Sequence, residues 1–187
     1  MRLTTLKLKG QEVCAIVTKN GALPIMCVNA KKGTTWKENL FDLIETGELK
    51  KLTEWYNNGG KDELESISGI ISQEKIEYAP LYRNPKRIFG IGLNYVDHAG
   101  DIGAPPPVGF PGSFFKMADT LIGMGDEIQL PKMKEAQKTT AEAELGIIMG
   151  KACRDVSEEN WLDAVAGYTT ILDMPAKYNL NKSLIVF

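Results

Sequence analysis

The segment from Ala141 to Met149 constrains the fold of this chain more than any other. It reads A-E-A-E-L-G-I-I-M, and this alternation predicts a β-strand over residues 142–149. Alternate side chains share a face, so Glu142 and Glu144 lie together while the apolar residues, Leu145 among them, form the opposite face. Neighbours on one face are about 7 Å apart, so two long carboxylates can converge on one point. Glutamates that are simply solvated on an edge strand remain the alternative.

A third carboxylate follows a second apolar strand. Asp173 comes directly after Tyr168–Leu172, and strand ends near glycine and proline often carry functional side chains. The alternative is an aspartate that starts a turn before Pro175. Three carboxylates on two adjacent strands would make an oxygen-only site, which suits Mg²⁺ or Mn²⁺. Zinc is disfavoured because no histidine or cysteine lies near these residues in the sequence.

His98 is the only histidine of the chain, so any acid–base chemistry through imidazole depends on it. A helical turn is predicted over residues 94–102, and on it His98 and Asp101 have the i, i+3 spacing of neighbours. A carboxylate beside an imidazole orients the ring and raises its basicity, as a general base requires. A histidine with a purely structural role is the alternative.

Two further features of the sequence, a pair of glycines and a lysine, bear on function. Gly90 and Gly92 suggest a dinucleotide-binding loop, but Tyr95 occupies the third glycine position, which argues against a nucleotide-dependent oxidoreductase. Lys116 ends a strand predicted over residues 113–116, where its side chain either reaches water or faces a pocket. In a pocket it would attract a carboxylate or an oxyanion.

The chain changes character near residue 80. Before a linker with several prolines, over residues 79–85, the sequence reads as β-strands followed by short helices, as in a small β/α domain. After the linker, glycine and proline become frequent. In the first part we predict a hairpin around Gly10, with strands over residues 2–8 and 12–18, and a third strand at a sheet edge over residues 23–28. We also predict two helices, over residues 37–46 and 48–56. In the second part we predict further strands over residues 87–92 and 127–130 and a helix over residues 157–165.

Composition excludes several classes of protein. Of 187 residues, 43% are hydrophobic and 25% are charged, which is typical of a globular domain and not of a disordered chain. The net charge of -2 provides no basic footprint for nucleic acid. No apolar run has membrane-spanning length, no secretory leader is recognisable, and the three cysteines are few and far apart. We therefore expect a cytoplasmic protein with reduced thiols and with no membrane or nucleic-acid partner.

Four motifs occur together in this chain: G-L-N-Y-V-D-H-A from Gly92, F-K followed by T-L-I-G from Phe115, E-A-E-L from Glu142, and V-A-G-Y-T from Val165 leading into D-M at Asp173. In this order and spacing they resemble the fumarylacetoacetate hydrolase family over about residues 85–177. Members of this family include acylpyruvate hydrolases and related hydratases, isomerases and decarboxylases. Residues 1–80 resemble, more weakly, the small N-terminal domain of many members.

The resemblance implies an α+β fold in which a mostly β, rolled catalytic domain over residues 81–187 follows a small N-terminal β/α domain over residues 1–80. It implies Mg²⁺ or Mn²⁺ as cofactor, held by Glu142, Glu144 and Asp173. It places a lid histidine at His98 and its acidic partner at Asp101, where many relatives have glutamate. Lys116 matches a lysine to which we assign a substrate or oxyanion role.

The implied activity is a metal-dependent hydrolysis or isomerisation of 2-oxo or 1,3-diketo acids, such as acylpyruvates, through a metal-stabilised enolate. The His98–Asp101 dyad would act as general base. Hydrolysis, hydration, tautomerisation and decarboxylation share that enolate, and the motifs do not choose among them. The expected partners are a small oxo-acid substrate and, as in many relatives, a second copy of the chain.

The C-terminal end departs from the family pattern. Relatives continue past the third ligand, whereas residues 177–182 match that continuation poorly and residues 183–187 are apolar. We therefore expect a truncated member with an incomplete rolled domain. The alternative function is a catalytically inactive member that acts only as a binding or dimerisation module.

Overall fold

The computed structural model describes residues 1–101, 103, 105, 108–130 and 139–175, apart from the side chain of Asp101. Eight strands are present in these residues: β1 Leu3–Leu8, β2 Gln11–Val17, β3 Gly21–Pro24, β4 Ile71–Ser72, β5 Ile88–Gly92, β6 Gly112–Lys116, β7 Glu142–Met149 and β8 Val165–Asp173. The α-helices in the same residues are α1 Ile25–Lys32, α2 Leu40–Glu45, α3 Glu48–Trp55, α4 Lys61–Glu63 and α5 Val96–Asp101. The chain is therefore a mixture of helix and strand, as predicted.

The N-terminal part is a four-stranded sheet in the order β1-β2-β3-β4, with antiparallel neighbours. The predicted hairpin is confirmed: Leu8 pairs with Gln11 across a two-residue turn. Both turn residues have positive φ, 49° at Lys9 and 80° at Gly10, and such turns match the twist of the strands they join. Strand β2 is buried on both faces: Cys14 and Ile16 belong to one buried cluster, and Val13 and Ala15 belong to another.

Helices cover one side of this sheet and complete its core. The apolar residues of α2 and α3 recur at helical spacing, and Leu43 and Leu52 are fully buried. Asn39 caps α2, because its side-chain oxygen accepts hydrogen bonds from the backbone nitrogens of Phe41 and Asp42. The main buried cluster is Cys14, Ile16, Leu23, Ile25, Val28, Leu40, Leu43, Ile44, Leu52, Leu64 and Ile67.

Two separate hairpins follow. In one, β5 pairs antiparallel with β6, and in the other, β7 pairs antiparallel with β8 over eight residue pairs. Neither hairpin has a third strand among the described residues. Each strand therefore has one free edge within that part of the chain.

The chain divides into two compact units. The first contains Met1–Tyr82, Ile122–Gln129 and Ala141–Met174, and the second contains the other residues. In the first unit Ile148 and Ala166 pack against the main buried cluster, so the β7–β8 hairpin belongs with the N-terminal sheet. The second unit contains the β5–β6 hairpin and α5. The domain boundary between residues 80 and 81 stays a prediction, as does the rolled form of the catalytic domain.

Three predicted elements differ in the structure. The predicted strand over residues 23–28 ends at Pro24, and Ile25 begins α1, because Ile25 and Val28 share one helical face that is fully buried. Moreover, β3 is an inner strand rather than an edge, with Pro24 at its last position. Residues 127–130 form no strand, and of the predicted helix over residues 157–165 only a 3₁₀ turn at Trp161–Ala164 forms.

Residues 176–187, which carry the predicted departure from the family pattern, lie outside the described residues. Among the helices that are described, none is both long enough and apolar enough to span a bilayer.

Candidate functional site

The three predicted ligands lie on one face of the β7–β8 hairpin. Glu142 pairs with Asp173, and Glu144, two residues further along β7, pairs with Ile171. Directly opposed residues of an antiparallel pair point to the same side, with Cα atoms about 4.5–5.5 Å apart. Glu142, Glu144 and Asp173 are all half-buried. The backbone therefore brings the predicted carboxylates to neighbouring positions on a partly covered surface.

The side chains themselves are not gathered around a point. Among the residues that the structure describes, no three His, Cys, Asp or Glu side chains form a group that could hold a metal ion. The donor set consists of carboxylates alone, which suits a hard divalent cation such as Mg²⁺ or Mn²⁺. The register and the donor chemistry fit such a cation.

His98 lies on the short helix α5, which follows β5. Between them Leu93 has φ 56°, a left-handed conformation that is strained for a side chain of this kind. The backbone nitrogen of Ala99 donates to the Tyr95 oxygen at 3.1 Å, and Ala99 is fully buried while His98 is half-buried. The helix confirms the predicted helical spacing of His98 and Asp101; the Asp101 side chain lies outside the described residues.

Lys116 is the last residue of β6 and pairs with Ile88. Its Nζ lies 5.5 Å from the centroid of the Phe114 ring, which is within range of a cation–π interaction. Phe114 and Lys116 share the half-buried face of the β5–β6 hairpin, whereas Phe115 lies on the exposed face. Lys116 is thus anchored along an aromatic ring rather than extended into solvent.

The glycines at 90 and 92 belong to a strand and not to a phosphate-binding loop. Gly90 pairs with Phe114 and Gly92 with Gly112 within the ladder of β5 and β6. A Cβ at Gly90 would lie 2.4 Å from the Phe114 ring, so the glycine makes room for that ring. Close packing within the hairpin accounts for Gly90.

The predicted site residues are distributed over both compact units. Glu142, Glu144 and Asp173 belong to the first unit, and His98 and Lys116 belong to the second. An open pocket of about 450 Å³ in the first unit is lined by residues of the N-terminal part, including Arg2, and by none of the predicted site residues.

The thiols are free and differ in their surroundings. Burial raises the pKa of Cys14 to about 12, so this thiol is protonated at neutral pH. The pKa of Cys27 is also raised, first by burial and then by the negative charge of Glu38. Cys153 is exposed. The two raised pKa values disfavour the nucleophilic thiolate at Cys14 and Cys27.

Comparison with known proteins decides the family. The family model described as fumarylacetoacetate (FAA) hydrolase C-terminal matches residues 87–182, more than half of the chain. The chain belongs to the fumarylacetoacetate hydrolase family. The match spans β5 to β8 and includes every residue that the sequence singled out for chemistry.

The relatives reported next carry the names of enzymes. The mitochondrial oxaloacetate tautomerase of Xenopus laevis is 37% identical over 136 residues, which are 73% of this chain and 40% of that protein. The crystal structure of maleylpyruvate hydrolase from Sphingobium sp. SYK-6, in complex with manganese(II) and pyruvate, has a TM-score of 0.67 at 24% identity. It is matched over 93% of this chain and 58% of that one.

A third relative supports the same fold. The fumarylacetoacetate hydrolase of Exiguobacterium antarcticum has a TM-score of 0.64 at 18% identity, over 100% of this chain and 60% of that one. The two structural matches show the fold of this family. The chain spans about 40% of the length of the tautomerase and about three-fifths of each solved chain.

The structure also points to residues that the sequence did not single out for the site. Ile171 pairs with Glu144, and Gly146 is buried between Glu144 and Ile148 on the same face. A glycine inside a strand often marks a close approach of another group, which is the signal that could have identified Gly146.

Proposed function

We propose that this chain belongs to a divalent-metal-dependent enzyme that acts on 2-oxo or 1,3-diketo acids as a hydrolase or isomerase. The observation that carries the proposal is the register of β7 and β8, which sets Asp173 opposite Glu142 and Glu144 two residues further on the same half-buried face. Solvated strand glutamates would not require an aspartate directly opposite.

In this proposal Glu142, Glu144 and Asp173 hold Mg²⁺ or Mn²⁺. When bound, the ion supplies Lewis-acid stabilisation of the negative charge that develops on a keto oxygen. Support for a metal comes from the Sphingobium maleylpyruvate hydrolase, whose complex contains manganese(II) and pyruvate. Pyruvate is a 2-oxo acid, and oxaloacetate, named for the Xenopus relative, is another.

His98 would serve as general base, taking a proton from water or from a substrate carbon, with Asp101 orienting its ring. Its position on a helical turn and its partial burial suit this role. Lys116 would bind a substrate carboxylate or a developing oxyanion through the positive charge of Nζ, which lies 5.5 Å from the centroid of the Phe114 ring.

A second function remains, that of a binding or dimerisation module without catalysis. The exposed face of the β7–β8 hairpin favours it, because Leu145, Ile147 and Tyr168 are all exposed there. Large exposed apolar patches mark interaction sites. This function predicts a folded chain that forms complexes and turns over no oxo acid.

The test is turnover of two substrates by the purified chain in Mn²⁺: tautomerisation of oxaloacetate and hydrolysis of an acylpyruvate. We expect one of these to be accelerated, with a loss of at least about 10²-fold in His98→Asn, the scale of a lost general base. Glu54→Gln on the exposed surface of α3 is the control and should retain full activity. A folded chain that accelerates neither reaction would favour the binding module.

A further inference from the structure

Gly146 lies on the same face of β7 as Glu142 and Glu144, two residues beyond Glu144. It is buried on β7, directly opposite Thr169, while Glu144 is directly opposite Ile171. A Cβ added at Gly146 would lie 2.6 Å from Cδ1 and 3.0 Å from Cγ1 of Ile171, and 2.8 Å from Cγ2 of Thr169. The Ile171 side chain therefore occupies the space above the Gly146 backbone.

The direction of this lean matters for the carboxylates. On β8, Ile171 lies between Asp173 on one side and Thr169 on the other. Because its side chain reaches Gly146 and thus leans toward the Thr169 side, it leans away from Asp173. An Ile171 side chain that leans in this direction leaves more room beside Asp173 than one that leans the other way.

We propose that Gly146 is a positioning residue for the three carboxylates: the missing side chain lets Ile171 lean away from them and leaves the room in which they converge on a divalent cation. This inference rests on the proposed function. Any side chain at position 146 would push Ile171 toward Glu144 and Asp173, and the carboxylates would lose the rotamers that bind the cation.

A purely structural role for Gly146 makes a different prediction. Glycine in the middle of a strand costs stability relative to alanine, by roughly 0.5–1 kcal/mol. Gly146 has no positive φ, so its backbone conformation accepts an L side chain. If Gly146 served only the packing of the hairpin, substitution would change the unfolding temperature and leave metal affinity unaltered in the folded chain.

The experiment measures Mn²⁺ affinity by calorimetry in the full chain, with thermal melting of the metal-free protein alongside. Gly146→Ala should bind Mn²⁺ at least tenfold more weakly, the scale of lost support for metal ligands. Gly167→Ala is the matched control: it lies on the same face of the hairpin, and a Cβ there would meet nothing within 4 Å. We expect it to bind as the unaltered chain does.

A rescue variant assigns the effect to Ile171. Gly146→Ala combined with Ile171→Ala removes the two contacts of 2.6 and 3.0 Å and should recover most of the lost affinity. Gly146→Ala combined with Thr169→Ser removes the 2.8 Å contact and should recover little. Recovery through Thr169 and not through Ile171 would overturn the proposal.

The remaining outcomes separate this inference from the proposed function. If the unaltered, folded chain binds no Mn²⁺, the proposed function fails and the inference fails with it. If that chain binds Mn²⁺ and Gly146→Ala binds equally well, the inference alone is overturned. Weakening by the same factor in Gly167→Ala would also overturn it, because a general loosening of the hairpin would then explain both.

Discussion

In β2, the run from Val13 to Ile16 is buried at every position, whereas in β7 the apolar residues Leu145, Ile147 and Met149 remain about half exposed. Strand β2 has partners on both edges, helices over one face and a second buried cluster, which contains Val13 and Ala15, on the other face. Strand β7 has one partner, β8, among the described residues. Apolar residues on a strand are thus buried in one region and exposed in the other, because more elements pack against β2 than against β7.

The residues that stabilise the chain and the residues proposed for its chemistry therefore lie in different regions. The N-terminal sheet and its helices bury most of the core side chains. The β7–β8 hairpin presents carboxylates on one face and apolar side chains on the other, and only a few of its residues, such as Ile148, reach the core. Changes in the two regions should therefore affect different measurements.

The largest expected effect compares two leucines. Leu43→Ala removes a fully buried side chain and should lower the free energy of unfolding by about 2–5 kcal/mol. Leu145→Ala removes a side chain that is 59% exposed and should cost less than about 0.5 kcal/mol. Urea denaturation measures both. Equal losses would show that the apolar face of β7 is covered in solution, and the comparison would fail.

The next effect compares two cysteines across pH. The pKa of the Cys14 thiol is about 12 in the folded chain, against its ordinary value of 9.0. Between these values the unfolded chain has lost a proton that the folded chain retains, so stability falls as pH rises, by up to about 1.4 kcal/mol per pH unit.

Cys14→Ala should therefore flatten the fall in stability above pH 9, as measured by urea denaturation at a series of pH values. Cys153→Ala changes an exposed thiol and should leave the slope as it is. An unchanged slope in Cys14→Ala would mean that this thiol ionises in the folded chain as easily as in the unfolded one.

The smallest effect compares two asparagines at helix starts. Asn39→Ala removes both hydrogen bonds to the start of α2 and should cost about 1 kcal/mol in the free energy of unfolding. Asn160 precedes the 3₁₀ turn at Trp161–Ala164 without capping it, and its amide donates only an exposed hydrogen bond to Ser157 Oγ. Asn160→Ala should therefore cost only a few tenths of a kcal/mol in the free energy of unfolding, about 0.5 at most. A larger loss at Asn160 would show that this turn contributes more to stability than its exposure indicates.

Much of the N-terminal part could be predicted, because its signals are local. Alternation and the turn at Lys9 and Gly10 define the first hairpin, and helical spacing defines α2 and α3. The helix at Ile25 was missed because β-branched residues favour strands in isolation. Tertiary burial of Ile25 and Val28 overrides that preference.

For the candidate site, the sequence predicted the strands and the shared face of Glu142 and Glu144. It could not predict that Asp173 pairs with Glu142, because register depends on contacts between distant residues. The packing of Ile171 over Gly146 likewise depends on that register. The roles of Glu142, Glu144, Asp173, His98, Asp101 and Lys116 stay predictions.

The most direct test of the central claim is a calorimetric titration of the chain with Mn²⁺. The account predicts saturable binding of one ion per chain, retained in Glu54→Gln. Binding should be lost in Glu142→Gln, Glu144→Gln and Asp173→Asn, each first shown by circular dichroism to be folded. A folded chain without saturable binding would contradict it. Binding that survives all three substitutions would contradict it equally.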